Sequence, residues 1–530
     1  MSEFSVLIGG QAGYGIDKAG VVLARLFGRL GYRVYIYRDY PSLIRGGHTF
    51  SIIRASKVRI NAHRNNVDFL LALNQDTVDL HKNKLNKNGV VIFDSAAVKT
   101  DGLGLPIGGI VKEEGAAEIT RNTCLLGAFA KAAGIGWAAL EQVLRQNMPK
   151  ELEINLKVAR RGFEAAAEKK KIEKFDQPPL PILTGNEALS LGLIAAGLQA
   201  YVAYPMTPAS TILHFMAEQA EEFSLKVLQP ESEIGVMLTA LGFSYAGTKA
   251  AVGTSGGGFC LMTEGVSFAG MAELPIVIIV GQRTGPSTGL PTYTGQTELH
   301  FVLNAGQGEF TRFIVAPGDP EEAYYWGAVA LNLAWQFQIP AFILTDKTMA
   351  EGGFNFDLSS IKVVKEAALP KRAFPGDKEV VVKINSYEHD AKGLTTEDAA
   401  NTKQMAEKRL LKGKQLAQEL EKYETVKIYG DAKAATAILC WGSNKGVCVE
   451  AAQKLGLKVI QPLVLSPFPV KQFESAVKDV KKLICVENNA TGQLAKLLKL
   501  NGFSVDEMAL KYDGRPFDLD ELEGELKKWI

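Results

Sequence analysis

The chain has 530 residues, 47% of them hydrophobic and 22% charged, with a formal net charge of +1. That length is too great for one core and sets an expectation of about three domains of roughly 100–200 residues each. Near-neutral charge gives no reason to expect nucleic acid or an anionic membrane as partner, and no apolar run reaches membrane-spanning length. The N-terminus lacks a signal-peptide pattern, so a cytoplasmic protein is expected. Cys124, Cys260, Cys440, Cys448 and Cys485 are scattered with no C-x-x-C. This spacing argues against a disulfide framework, a zinc site or an iron–sulfur cluster in this chain.

In chain order, Phe4 to Ile8 reads as a strand, followed by the glycine-rich turn Gly9-Gly10-Gln11-Ala12-Gly13-Tyr14-Gly15. A helix from about Asp17 to Leu30 and a strand from Arg33 to Tyr37 complete a βαβ start. Such a turn at a helix N-terminus is a ready place for phosphate, and equally a tight turn and nothing more. Ile44-Arg45-Gly46-Gly47-His48 offers an arginine to an anion, to a partner chain, or to a structural ion pair. Strands at Phe69 to Leu73 and Val90 to Phe93, and helices at Thr123 to Ala133 and Glu151 to Lys170, finish this α/β unit. The run Lys169-Lys170-Lys171 reads as a solvated helix end, and the proline-rich Phe175 to Pro181 as a boundary.

The second unit carries the densest chemistry. A helix from Ala188 to Leu198 leads to the strand Ala200 to Ala203 and the turn Tyr204-Pro205-Met206-Thr207-Pro208. Two prolines fix φ on either side of Thr207, which is then posed for a ligand or caps the helix from Ala209. Glu231-Ser232-Glu233 opens a helix to Tyr245, where a carboxylate is also simply favourable at the helix N-terminus. Ala250 to Val252 runs into Thr254-Ser255-Gly256-Gly257-Gly258, a second strand-to-helix turn. Ile276 to Val280 is a continuous β-branched run, as a buried parallel strand requires, and exits at Gln282-Arg283. Arg283, at that strand end, suits a carboxylate, or pairs structurally with Glu264 or Glu273. The sheet ends with Phe313 to Ala316, the helix Pro320 to Phe337 and the strand Ala341 to Thr345.

From Met349 to about Gly430 the texture is irregular, apart from a long charged helix over Thr395 to Tyr423. The last unit alternates Thr436 to Cys440, Val447 to Leu455, Lys458 to Pro462, Val470 to Val477 and Lys482 to Glu487, and ends in a tail with Tyr512-Asp513-Gly514-Arg515-Pro516-Phe517.

These motifs, in this order, resemble a 2-oxoacid:ferredoxin oxidoreductase in which a γ domain is fused ahead of the α subunit. The family's Tyr-Pro-Ile-Thr-Pro-Ser-Ser stands here as Tyr204 to Ser210, and its Thr-Ser-Gly-Pro-Gly as Thr254 to Gly258 with glycine for proline. Gln282 to Thr292 and Tyr512 to Phe517 match family signatures without a gap. The resemblance implies an α/β fold of three doubly wound units. These are a γ domain over 1–176 that covers coenzyme A, a pyrimidine-binding thiamine domain over 182–350, and a transketolase C-terminal-like domain over 431–530, with 351–430 as a connecting segment. It implies oxidative cleavage of a 2-oxoacid with coenzyme A to acyl-CoA, CO2 and reduced ferredoxin, with the reverse direction open.

By the same resemblance Glu233, rather than Glu231, faces N1′ of the thiamine aminopyrimidine, where a carboxylate promotes the tautomer that deprotonates C2. Thr207 meets the 2-oxo group or nearby carboxylate, and Arg283 and Thr292 bind the substrate carboxylate. Tyr204, Pro205, Thr254 and Ser255 belong to the thiamine site; Gly13, Gly15, Lys18 and Arg45 are candidates for coenzyme A. No Gly-Asp-Gly occurs. Diphosphate, Mg2+ and a 4Fe-4S cluster are therefore assigned to a separate β subunit, in an αβ or (αβ)2 assembly served by ferredoxin, with no metal on this chain. 2-Oxoglutarate is the first expectation for substrate, ahead of pyruvate and branched-chain acids. The competing readings are half of a non-redox thiamine enzyme, a coenzyme A-binding scaffold without catalysis, and a two-domain nucleotide binder.

Overall fold

The computed structural model describes residues 2–43, 46–368 and 372–530. The chain forms two compact units. The first gathers Met1–Leu183, Gly352–Asp357 and Asp518–Leu522; the second holds Thr184–Glu351, Leu358–Phe517 and Glu523–Ile530.

The first unit is built on the strand Glu3–Gln11, buried from Phe4 to Gly10 because it lies inside an eight-stranded sheet. Val67–Ala72 pairs with it in parallel on one side, and Leu85–Asp94 and Leu103–Leu105 continue outward in parallel. On its other side lies His48–Ser56, antiparallel both to it and to Arg33–Asp39. The expected βαβ start is present, with the helix at Ile16–Arg29, but His48–Ser56 slots between its two strands. Gly353–Asn355 and Ile182–Leu183 close the far edge, too short for any periodicity to announce them.

The helix expected over Glu151 to Lys170 is Leu152–Ala165. The lysine run is therefore no helix end. The Lys169 and Lys170 amides donate to the Ala132 carbonyl at 2.8 and 3.0 Å, and the Lys170 ammonium pairs with Asp68 at 2.8 Å.

The second unit holds two sheets. The seven-stranded sheet runs Val464–Ser466, Phe313–Val315, Pro340–Asp346, Ile276–Gln282, Ala250–Ser255, Ala200–Ala203, Lys226–Leu228, parallel except at Val464–Ser466. Ile276–Gln282 is buried throughout, as its unbroken apolar sequence demands in a sheet covered on both faces. Local chemistry sets the helix starts: Thr184 and Glu187 form a capping box ahead of Gly185–Ala195, and Asp319 caps Pro320–Phe337 with proline in the first turn. The five-stranded sheet runs Val426–Gly430, Lys458–Pro462, Thr436–Cys440, Lys482–Glu487, Glu507–Leu510, antiparallel only at its first pair.

Polar clamps join these two sheets. The Gln296 side chain donates to the Trp441 carbonyl at 2.8 Å and accepts from Asn444 Nδ2 at 2.8 Å and the Asn488 amide at 2.9 Å. Lys445, buried, lies between Asp319 and Glu322, and Glu322 also accepts from Tyr429 at 2.8 Å and Gln461 at 2.9 Å. Buried charges persist only when paired and hydrogen-bonded in this way. Cys124, Cys440, Cys448 and Cys485 are buried free thiols, and Cys260 is exposed. No described helix is long and apolar enough to cross a membrane.

Candidate active site at the strand ends of the second unit

The seven-stranded sheet carries a switch in strand order. From Ala200–Ala203 the chain goes out to the edge strand Lys226–Leu228, then returns to Ala250–Ser255 on the other side. Open α/β sheets bind ligands in the crevice at such a point, outside the carboxyl ends of the strands. The segments that follow these three strands, and Ile276–Gln282 next to them, are the four motif groups of the sequence.

After the first of these strands, Tyr204 is 38% exposed and the Thr207-Pro208 peptide is cis. Thr207 does not cap the following helix, whose N-cap is Ala209 without a side-chain bond. The turn is held instead by Asn186, which donates to the Pro208 carbonyl at 2.9 Å and to Thr211 at 2.7 Å.

Glu233 is the first residue of the helix Glu233–Tyr245 and is 5% exposed, whereas Glu231 is exposed. Its Oε1 is buried and has no hydrogen-bond partner. A Cβ added to Gly258 would stand 2.1 Å from Thr254 Oγ1 and 2.6 Å from Glu233 Oε1. The two side chains thus converge over Gly258, and only glycine leaves them room. Ser255 caps the helix Gly256–Met271 with its backbone alone; its buried hydroxyl has no partner. Burying such groups unpaired costs about 1–3 kcal/mol each, so a cluster of them at strand ends marks a place shaped for something else.

Arg283 follows Ile276–Gln282 and is 7% exposed. Its Nη1 donates to the Thr207 carbonyl at 2.9 Å, while Nε is buried without a partner. The alternative partner Glu273 is taken by Lys408 and Lys412. The charge that acts on Arg283 is Glu298, which the motif reading missed: the two side chains form no ion pair, but the Thr297 hydroxyl joins the Arg283 carbonyl, at 3.4 Å, to Glu298 Oε1, at 2.7 Å. Burial lowers the guanidinium's affinity for its proton, and Glu298 opposes that effect. Burial pushes the Glu298 carboxyl up to about 7, against the hydrogen bonds of Thr297 and the charge of Arg283. Glu298 lies fifteen residues beyond Arg283 with no periodic signal around it; only its place just past Gln296-Thr297, in the same loop, could have flagged it.

Between them the chain makes a tight excursion. Thr284 and Leu290 form a bridge, and Gly289 has φ +52 with the Thr284 carbonyl 1.9 Å from where a Cβ would stand. Only glycine satisfies both conditions. Thr292 is 5% exposed on the returning limb, two residues before Thr294, whose carbonyl accepts from Thr284 at 2.7 Å. The tail from the other sheet fastens this limb: the Thr294 amide donates to the Gly514 carbonyl at 3.0 Å, and the Arg515 guanidinium lies 3.8 Å from the Tyr293 ring centre.

In the first unit, Gly13 has φ +99 with open space around it, and Gly15, with φ +67, is the N-cap of Ile16–Arg29. Asn122 fastens this turn by donating to the Tyr14 and Gly15 carbonyls at 2.9 and 3.2 Å. The Ala12 amide donates to the Gly47 carbonyl at 3.3 Å, which brings the two glycine segments to one end of the sheet. Lys18 is exposed in the helix's first turn, and Arg45 lies outside the described residues. His48 and His81 face each other with Nε2 atoms 2.9 Å apart, and burial, with Lys84 and His48, pushes His81 down to about 3.

Comparison with known proteins agrees with this layout. Residues 191–410 match the family model "Pyruvate flavodoxin/ferredoxin oxidoreductase, thiamine diP-bdg", and residues 5–165 match "Pyruvate ferredoxin/flavodoxin oxidoreductase". The chain is 30% identical to 2-oxoacid:ferredoxin oxidoreductase 1, subunit alpha, of Aeropyrum pernix, over 98% of this chain and 96% of that one. It is 29% identical to the alpha subunit of the Saccharolobus solfataricus 2-oxoacid:ferredoxin oxidoreductase, over 99% and 97%. The structure of a 2-oxoglutarate:ferredoxin oxidoreductase from Magnetococcus marinus, with 2-oxoglutarate, coenzyme A and succinyl-CoA bound, superposes with a TM-score of 0.89 at 26% identity, covering 100% of this chain and 99% of that one. With both family models on its two units and α subunits aligned end to end, the chain belongs to the 2-oxoacid:ferredoxin oxidoreductases as an α-subunit chain, an oxidoreductase component acting on 2-oxoacids.

Proposed function

We propose that this chain supplies the aminopyrimidine half of a thiamine diphosphate site together with the carboxylate-binding arginine for a 2-oxoacid, with 2-oxoglutarate as the first substrate to try. The partner is a β subunit that brings diphosphate-bound Mg2+ and a 4Fe-4S cluster and passes electrons to ferredoxin in the cytoplasm, in an αβ or (αβ)2 assembly. The observation that carries the reading is Glu233: a buried carboxylate at a helix start whose Oε1 has no partner and converges with Thr254 on Gly258. The unpartnered Ser255 hydroxyl, one residue on, fits the same polar ring edge. When bound, thiamine diphosphate would supply the nucleophilic carbon that adds to the 2-oxo group and the thiazolium ring that takes up the electron pair left by CO2.

The chain's own residues do the rest. Glu233 holds a proton at the ring nitrogen, Arg283 and Thr292 orient the substrate carboxylate, and Thr207 meets the 2-oxo end. Tyr204 and Pro205, both exposed, are assigned to the thiamine side of the site. In the first unit Gly13, Gly15 and Lys18, with Arg45, are assigned to coenzyme A, which takes the acyl group. Beside Glu233 the helix faces carry Ile234, Leu238 and Leu261, each about half exposed, along a groove of about 490 Å³. An apolar strip next to an incomplete polar site supports a partner subunit seated there.

The test is co-expression with the β partner. The complex is expected to hold thiamine diphosphate and a chromophore that bleaches on adding 2-oxoglutarate and coenzyme A. Tight Mg2+-dependent thiamine diphosphate binding by this chain alone would refute the shared site.

A further inference from the structure

Glu298 is the side chain in this crevice that the proposed roles leave unused. Its backbone amide donates to Gln282 Oε1 at 3.2 Å, and Gln282 Nε2 donates to the Thr345 carbonyl at 3.1 Å, so its position is fixed from the neighbouring strands. Its Oε1 accepts from Thr297 at 2.7 Å, and a Cβ on Gly256 would stand 2.6 Å from that oxygen. The carboxyl is therefore pressed onto the first residue of the helix Gly256–Met271, whose dipole favours an anion. Its Oε2 is buried with no partner, as is Arg283 Nε.

From these contacts we infer that Glu298 is a positioning residue that exchanges its charge for that of the substrate. Ionised, it balances the charge of Arg283 in the substrate-free protein; it takes up one proton from solvent when a 2-oxoacid carboxylate pairs with the guanidinium. The inference rests on the proposed role of Arg283 as carboxylate binder. The physical ground is that two carboxylates in one low-dielectric crevice do not both stay ionised beside a single cation.

Four other titratable groups lie on the packed elements, and two of them, Asp346 and His300, are hydrogen-bonded. Asp346, opposite Gln282 on the adjacent strand, accepts from Thr294 at 3.2 Å and from the Met349 amide at 3.1 Å. His300, on the helix that Glu298 caps, has Nε2 3.0 Å from the Gln493 carbonyl. Glu233 approaches Gly258, two residues further into the helix. Lys347 follows Asp346 and is buried. Burial raises the carboxyls of both Asp346 and Glu298, the latter to about 7, and Glu298 is the one whose charge acts on Arg283.

The experiment is calorimetric titration of 2-oxoglutarate into the assembled complex freed of thiamine diphosphate, so that no cleavage follows binding. It is run from pH 6 to 8.5 in buffers of different ionisation enthalpy. Both ligand carboxylates stay ionised across this range, so any proton taken up belongs to the protein. The wild type is expected to take up a fraction of a proton that grows above pH 7, with Kd rising by up to about tenfold per pH unit. Glu298→Gln, a permanently neutral isostere, is expected to lose that uptake and to bind at pH 8 at least as tightly as the wild type. Glu298→Asp is expected to keep the uptake with a displaced midpoint, and covers the case in which the glutamine variant fails to assemble. Absence of proton uptake in the wild type, or its persistence in Glu298→Gln, overturns the inference. If Arg283→Ala binds 2-oxoglutarate unchanged, the reading of Arg283 fails instead, whatever Glu298 does.

Discussion

Replacing Arg283 with alanine separates catalysis from stability. In the structure the guanidinium donates from Nη1 to the Thr207 carbonyl at 2.9 Å and keeps a buried Nε without a partner. Removing the first loses about 0.5–1.5 kcal/mol of net hydrogen bonding, a shift of a few degrees at most in a chain of this size. Toward substrate the loss is larger. A hydrogen bond to a charged group is worth about 1.5–3 kcal/mol, and a carboxylate left unpaired in the crevice adds to that. At about 1.4 kcal/mol per decade, kcat/KM for the 2-oxoacid falls at least about 10–100-fold. Arg283→Lys recovers only part, because an ammonium keeps the charge without the planar fork that spans Thr207 and a carboxylate together. Melting temperature and kcat/KM are measured on the same assembled variant. A lowered melting temperature with unchanged kcat/KM would refute the substrate role and leave Arg283 as a strut for the Thr207 turn.

Other outcomes follow from the same geometry. Glu233→Gln keeps assembly and melting temperature, since Oε1 has no partner to lose, while turnover drops about 10²–10⁴-fold; Glu231→Gln changes turnover little. The reverse order in the two variants would transfer the role to Glu231. Gly258→Ala forces a methyl within 2.1 Å of Thr254 Oγ1 and 2.6 Å of Glu233 Oε1, so turnover falls with only a modest loss of stability; wild-type turnover in that variant would mean that the two side chains can part freely. Lys445→Ala strands Asp319 and Glu322 without their buried partner and destabilises by about 3–5 kcal/mol in chemical denaturation. The wild-type cluster also has a pH signature. Lys445 and Lys427 hold the Glu322 carboxyl far below its ordinary value. Its contribution is thus present above the unfolded carboxylate value of about 4.3 and is lost as pH falls below it. Acid melts of wild type and Lys445→Ala should converge as pH drops below about 4; parallel curves would contradict the coupling.

Much of the second unit was legible because its strands are buried on both faces and its helices are long. Ile276–Gln282, Glu233–Tyr245 and Pro320–Phe337 announce themselves by unbroken β-branched runs, an acidic first turn and a proline at the helix start. What escaped has a physical reason in each case. His48–Ser56 alternates too little to read as a strand, yet pairs on both sides in the first sheet, so tertiary pairing decided it. Gly353–Asn355 is three residues long and owes its strand state to partners more than 150 residues away. The charged run after Ala165 resembles a helix end, but the backbone leaves the helix to donate to Ala132. In the crevice, motif spacing marked Thr207, Glu233, Thr254, Ser255 and Arg283. Glu298 depends on burial and on the company of Arg283, which no linear pattern carries.

The tail motif around Gly514 gives a last prediction, because it acts on the crevice without entering it. Gly514 has φ +82, and a Cβ there would stand 2.9 Å from Leu290 Cδ1, 3.3 Å from Tyr293 Cβ and 3.4 Å from Thr284 Oγ1. Its carbonyl takes the Thr294 amide, and the next carbonyl, that of Arg515, accepts from Asn488 at 3.1 Å. The tail is thus a brace laid across the loop from Thr284 to Thr294, the loop that fixes Arg283 at one end and carries Thr292 on its return. A side chain at position 514 meets two penalties: left-handed backbone, about 1–2 kcal/mol for an L-residue, and contact with Leu290 and Tyr293. Both are relieved if the brace lifts, and then the loop loses its anchor at Thr294. Gly514→Val should therefore raise KM for the 2-oxoacid several-fold and open the 284–294 loop to limited proteolysis. The melting temperature of the whole chain should fall by only a few degrees, because neither sheet loses a strand. If KM holds while melting temperature falls, the tail stabilises the five-stranded sheet alone and has no hold on the loop.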